Sequence, residues 1–369
     1  MNYLTLHEMP PLRMDDLVAE LPIVQGGMSV GISLSNLASA VANEGGIGVI
    51  GAAGIGYTEP DITSNYAEAN KRSFIREIRK ARRMSRGIIG VNIMMALSDY
   101  DKLIQIAMDE GLDVIFIGTG LLLRMPDTLD IEQIKRSRTK IVPIVSSAKG
   151  VQVMFNYWSR FYDHIPDGVV VEGPLAGGHL GFMPEDMEDP DKQLEKLVSD
   201  VLEVVKPFRE RYKKDIPVIA AGGIFTGEDI ARFIDLGASG VQMATRFIAT
   251  HECDATIKFK DAIINSTRDD IIIIKSPVGM PGRAVRNQFL DDVSHGIKKP
   301  FSCPWKCLRT CDYNHSPYCI ALALANAKEG SLDKGFAFAG ANAYRVDRLT
   351  YVRDLVESLK EEYSRAREA

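Results

Sequence analysis

The chain has 369 residues, and its 44 Lys and Arg against 49 Asp and Glu leave a net charge of −5. With 46% hydrophobic and 25% charged residues it has the balance of a folded globular protein, which excludes wholesale disorder. Its length fits one large α/β barrel with an extension, or two domains. The mildly acidic surface lacks a long basic block, so no nucleic-acid partner is expected. No apolar run is long enough to span a bilayer, so no membrane partner is expected either. The opening residues MNYLTLHEMPPLRMDD show no basic start followed by an apolar core, which points to a cytoplasmic protein.

Along the chain, short β-branched runs alternate with amphipathic stretches. The runs are Ile23–Gln25, Ile47–Ile50, Ile88–Asn92, Val114–Ile117, Ile141–Val145, Val169–Glu172, Val218–Ala221 and Gly240–Met243. Most are continuously apolar, as parallel strands covered on both faces must be. Between them the spacing predicts helices such as Ser35–Asn43, Phe74–Met84, Asp101–Glu110, Leu194–Tyr212 and Gly227–Leu236, the last with Thr226 as N-cap. Eight strands alternating with helices predict a (β/α)8 TIM barrel over residues 1–250. An open doubly wound sheet would carry its glycine fingerprint in the first strand–helix turn, and none with full spacing is there. Residues 251–300 then read as a connecting segment and lid, and 301–369 as a C-terminal helical extension.

Barrel chemistry sits on the loops after the strands. After the first strand come Gly26, Gly27 and Met28, and after the third comes Asn92. The sixth strand leads into Glu172-Gly-Pro-Leu-Ala-Gly177-Gly178-His179-Leu-Gly. The seventh ends in Gly222-Gly223, and the eighth in Gln242-Met-Ala244-Thr245. Glycine turns after strands seven and eight expose backbone N–H groups, so the pair reads as a phosphate cradle, with the Thr245 hydroxyl as a further donor. His179 has the chemistry of a general base near neutrality. It can equally be a histidine held for loop structure, and the residues alone leave both open.

Arg283 and Arg286, in the Gly/Pro-rich run Ser276–Asn287, are candidate anion contacts on a closing lid. Lys149, after the fifth strand, can face the site or solvent. Cys303, Cys307 and Cys311 recur every four residues, so a helix starting at Pro304 would put them on one face, with Cys319 returning after a turn. Four convergent thiolates could hold zinc or an iron–sulfur cluster, with His315 as a substitute ligand; four reduced thiols could equally pack a helical hairpin.

The set PIVQGGM, GVNIM, EGPLAGGHLG, IAAGGI and GVQMATRF, continued by SPVGMPGRAVRN, resembles the nitronate monooxygenase (2-nitropropane dioxygenase) family. The resemblance extends to the FMN-dependent enoyl-ACP reductases of the same superfamily. It implies FMN as cofactor, lined by Gly26, Gly27, Met28, Asn92, Glu172, Gly177, Gly178, Gly222, Gly223, Gln242, Ala244 and Thr245, with His179 as the catalytic residue. Ala244 stands where many relatives have glycine. The implied activity is oxidation of alkyl nitronates or nitroalkanes with O2 to carbonyl compounds and nitrite, with Met28, Leu180 and Phe182 shaping a small apolar pocket. The same residues would serve an NAD(P)H-dependent enoyl reductase. A third reading is a flavin electron carrier that docks a partner through the cysteines. A homo-oligomer is compatible with all three.

Overall fold

The computed structural model describes residues 8–126, 128–303 and 305–368. The first seven residues of the opening segment, and Pro304 as a helix start, lie outside the described residues.

A hairpin, β1 (Leu12–Met14) and β2 (Leu17–Ala19), precedes the barrel. The chain then alternates β3 (Ile23–Gln25), α1 (Ser35–Asn43), β4 (Ile47–Gly51), α2 (Tyr66–Met84), β5 (Ile88–Met94), α3 (Tyr100–Asp109), β6 (Val114–Gly118) and α4 (Ile131–Arg136). It continues through β7 (Lys140–Val145), α5 (Ala148–Tyr162), β8 (Val169–Glu172), a short outer strand β9 (Gly178–His179) and α6 (Leu194–Tyr212). Next come β10 (Val218–Ala221), α7 (Gly227–Asp235), β11 (Gly240–Met243) and α8 (Thr245–Ile248). All the predicted strands form, within a residue or two at their ends. They pair in parallel as a closed barrel in the order β3-β4-β5-β6-β7-β8-β10-β11, and β11 returns to β3. The architecture is the (β/α)8 barrel that the alternation predicts.

The barrel interior is a packed core of Val24, Val49, Phe116, Val142, Val170 and Ile219. Leu12 and Met14 of the β1–β2 hairpin join that cluster and plug one end. The second, larger cluster lies between strands and helices, and includes Phe74, Phe155, Trp158 and Phe233. Thr226 caps α7 as predicted: its hydroxyl accepts from the Asp229 N–H at 3.2 Å, and Asp229 accepts in return from the Thr226 N–H at 3.1 Å.

The extension contains α9 (Ile257–Ile264), a β12 (Ile271–Lys275) and β13 (Pro281–Val285) hairpin, α10 (Gln288–Ser294), α11 (Ile320–Lys328) and α12 (Val352–Glu368). α12 packs outside the barrel on α7, where the Gly227 N–H donates to Glu362 at 2.6 Å. Among the described residues no helix is long and apolar enough to cross a membrane.

Two expectations for the extension are overturned. The Ser276–Asn287 run is no free lid, because its second half is strand β13, hydrogen-bonded to β12 on one side and β9 on the other. The described residues of the cysteine segment form no helix either. Lys306 has φ +47°, a left-handed conformation that interrupts a right-handed helix. Backbone groups of the segment bond across to the loop after β5: the Ser98 N–H donates to the Cys307 carbonyl at 3.0 Å, and the Arg309 N–H to that of Ala96 at 2.9 Å.

Candidate active site

The strand ends of the barrel open into a cavity of about 690 Å³. Gly26, Gly27, Met28, Asn92, Glu172 and His179 line it. So do Gly177, Gly178, Gly222, Gly223, Gln242, Ala244 and Thr245. Every residue that the sequence assigned to cofactor or catalysis, the lid arginines and cysteines aside, therefore meets in one space.

At one end the glycine turn after β10 faces the start of α8. Gly222 has φ +96°, and a Cβ there would stand 3.0 Å from the Ala176 nitrogen and the Gly173 oxygen, so the turn requires glycine. Among the described residues, the N–H groups of Gly222, Gly223 and Ala244 donate to no protein acceptor. The Thr245 hydroxyl oxygen accepts from the Gly340 N–H at 3.0 Å, which leaves its own proton to donate. Asn342 holds the Gly223 carbonyl at 2.6 Å. The result is a group of donors suited to an anion such as a phosphate. Ala244 has φ −125°, which any L-residue adopts, so the departure from glycine carries no backbone strain.

Gln25 shapes the turn after β3 from below. It is fully buried, donates to the Gly26 carbonyl at 2.5 Å and accepts from the Val49 N–H at 3.0 Å. A Cβ on Gly27 would lie 2.5 Å from the Cβ of Asn92, so glycine is what lets these two strand ends approach. Glu172 ends β8, and burial pushes its carboxyl up to about 7.

His179 lies on β9, opposite Gly282 of β13. Its Nε2 is 2.7 Å from the Ser276 hydroxyl oxygen, and its ring packs edge-on to Phe338 at 5.0 Å. Burial lowers its pKa to about 4, so the imidazole is neutral at pH 7. Sequence reasoning missed Ser276 and Phe338 as its supports. Ser276 stood in a motif already singled out, but for a different purpose.

Both arginines depart from their expected role. Arg283 is buried and does not line the cavity: it donates to the Pro174 and Ala176 carbonyls at 2.7 and 2.5 Å. It pins the loop that leads to His179, and burial lowers its pKa to about 10. Arg286 is exposed and paired with Asp291 at 2.9 Å. Leu180 and Phe182 are buried but do not line the cavity, unlike Met28, and Lys149 is exposed on α5.

Of the cysteines, Cys307 lines the cavity. Burial pushes its thiol up to about 12, and raises Cys311 and Cys319 as well, so all three are neutral. Among the described residues no three His, Cys, Asp or Glu side chains are grouped to hold a metal ion. The shared helix face that was to bring Cys303, Cys307 and Cys311 together does not form. Cys253 is buried and hydrogen-bonded to the Ile32 carbonyl at 3.3 Å.

Residues 12–362 match the family described as nitronate monooxygenase. A probable nitronate monooxygenase of Staphylococcus aureus is 27% identical over 304 residues, covering 75% of this chain and 79% of its own. FabK of Thermotoga maritima superposes with a TM-score of 0.72 at 26% identity, covering 95% of this chain and 94% of its own. A nitroalkane oxidase from Streptomyces ansochromogenes does so with a TM-score of 0.71 at 26% identity, covering 95% and 97%.

Proposed function

We propose that this chain, which belongs to the nitronate monooxygenase family, is an FMN-dependent enzyme that oxidises alkyl nitronates, or their parent nitroalkanes, with O2 to carbonyl compounds and nitrite. The observation that carries this reading is a single cavity with free backbone N–H donors at one end and a neutral, supported His179 on its wall.

The donor set fits the cofactor. Gly222, Gly223, Ala244 and Thr245 would hold the phosphate, and the absence of side chains at Gly26, Gly27, Gly177 and Gly178 suits a flat ring. Asn92, Glu172 and Gln242 offer polar contacts along its edge. When bound, the flavin supplies the electron acceptor for the substrate.

The remaining work falls to this chain's own side chains. Because the His179 imidazole is neutral, it can take the α-proton of a neutral nitroalkane. In the tautomer that donates Nε2–H to Ser276 the lone pair resides on Nδ1, and in that form Nδ1 would be the base. Phe338 and the β9–β13 pairing fix the ring plane, so the base is oriented before substrate arrives.

The test is to release the flavin from purified protein, identify it by mass, and assay propyl-2-nitronate in air. FMN together with equal amounts of nitrite and acetone is the expected result. Holoprotein that forms no nitrite would overturn the reading.

A further inference from the structure

We propose that Cys307 and Leu308 of the cysteine segment, with Ile320 and Leu324 of α11, form the specificity wall of this cavity and close one side with uncharged, apolar side chains. The substrate is then a molecule whose polar group is confined to its reacting end, with a hydrocarbon chain as the rest. The proposal rests on the oxidoreductase reading above and names the substrate class for it.

Four separate parts of the chain build the wall. Cys307 and Leu308 come from the segment, Ile320 and Leu324 from α11, and Tyr57 and Leu97 from the loops after β4 and β5. The segment is fixed in place, because Leu308 forms an antiparallel bridge with Leu97. Arg309 stacks on Tyr100 at 4.3 Å, and Trp305 on Tyr57 at 4.8 Å. Burial keeps the Tyr57 hydroxyl and the Cys307 thiol neutral.

Charge supports the same conclusion. Among the described residues, no lysine or arginine lines the cavity, and its histidine and carboxylate are His179 and Glu172. A carboxylate at the far end of a substrate would be stripped of water with no cation to receive it. A methylene chain loses nothing there, and each added methylene gains about 0.8 kcal/mol, or about fourfold in affinity.

The holoenzyme is assayed with 1-nitroalkanes from nitroethane to 1-nitrooctane, and with 3-nitropropionate as a carboxylate of 1-nitrobutane's length. The expected result is a rise in kcat/KM of about fourfold per methylene until the wall is met, and 3-nitropropionate poorer than 1-nitrobutane by about a hundredfold. Leu308→Ala and Leu324→Ala move the optimum to longer chains, and Leu324→Arg narrows the carboxylate penalty at least tenfold. Equal use of 3-nitropropionate and 1-nitrobutane by the unmodified enzyme overturns the proposal, even if no variant folds. Calorimetric titration with n-alkanamides, measured in parallel, separates this idea from the activity. If no nitroalkane turns over but amide affinity still rises with chain length and shifts in Leu308→Ala, the activity falls and the wall stands. An amide series with no dependence on length overturns the wall.

Discussion

His179 and Ser276 are 97 residues apart in sequence, yet the imidazole Nε2 and the serine Oγ meet at 2.7 Å. The contact exists because β9 adds to the β12–β13 hairpin, whose turn starts at Ser276. The barrel strand ends supply much of the cavity, and the chain beyond them closes one side and holds the imidazole.

Removing the proposed base should be selective. His179→Ala is expected to retain flavin and to lose about 10²- to 10⁴-fold in kcat/KM for neutral nitroalkanes. Preformed nitronate, which needs no deprotonation, should suffer less. Ser276→Ala should cost about 3- to 12-fold, the worth of one hydrogen bond. Steady-state kinetics with paired nitroalkane and nitronate substrates checks this, and equal losses on both would remove the base role.

The acid limb of the rate profile should be displaced. His179 accepts a proton only when neutral, and burial holds its pKa at about 4 rather than 6.5. Turnover of neutral nitroalkane should therefore persist at pH 5 and fall about tenfold per unit only below about 4. A limb centred near 6.5 would contradict the buried, neutral ring.

Glu172 and His179 should tilt stability in opposite directions. The folded Glu172 carboxyl titrates at about 7 against 4.5 for the ordinary group, so the native state holds the extra proton between those values and stability falls as pH rises through them. The folded His179 titrates at about 4 against 6.5, so there the unfolded state holds the extra proton and stability falls as pH drops through that window. In flavin-free protein the two slopes offset each other between 4.5 and 6.5. Glu172→Gln should remove the first, giving a variant that gains stability over the parent at pH 8 but not at pH 4. Urea unfolding at several pH values measures it, and an unchanged profile would sink the assignment.

Arg283 should behave as a structural anchor. Arg283→Met leaves the Pro174 and Ala176 carbonyls without their buried donor, at a cost of about 2 to 3 kcal/mol. Because that loop leads to Gly177, Gly178 and His179, FMN affinity should fall in the same variant. Thermal unfolding and flavin titration read both, and a variant with parental stability would show that the loop stands without the guanidinium.

The barrel was legible because parallel strands covered on both faces must be apolar throughout, so Val114–Ile117 or Val218–Ala221 announce themselves without context. The cavity lining was legible because glycines such as Gly27 and Gly222 mark places where backbone must approach closely. What could not be read was pairing at long range. Turn chemistry in Ser276–Asn287 says that a bend occurs, but not that β13 will find β9, so Arg283 looked like a lid residue rather than a buried anchor. The spacing of Cys303, Cys307 and Cys311 fits a helix, but the loop at Ala96–Ser98 offers that backbone other partners and Lys306 turns left-handed.

Anaerobic mixing of the purified flavoprotein with propyl-2-nitronate, and in parallel with NADPH and NADH, tests the central claim most directly. The expected result is rapid loss of the oxidised-flavin absorbance with nitronate, and slow or no loss with either nicotinamide. Rapid bleaching by NADPH or NADH, with none by nitronate, would contradict it and identify an enzyme that draws its electrons from a nicotinamide instead.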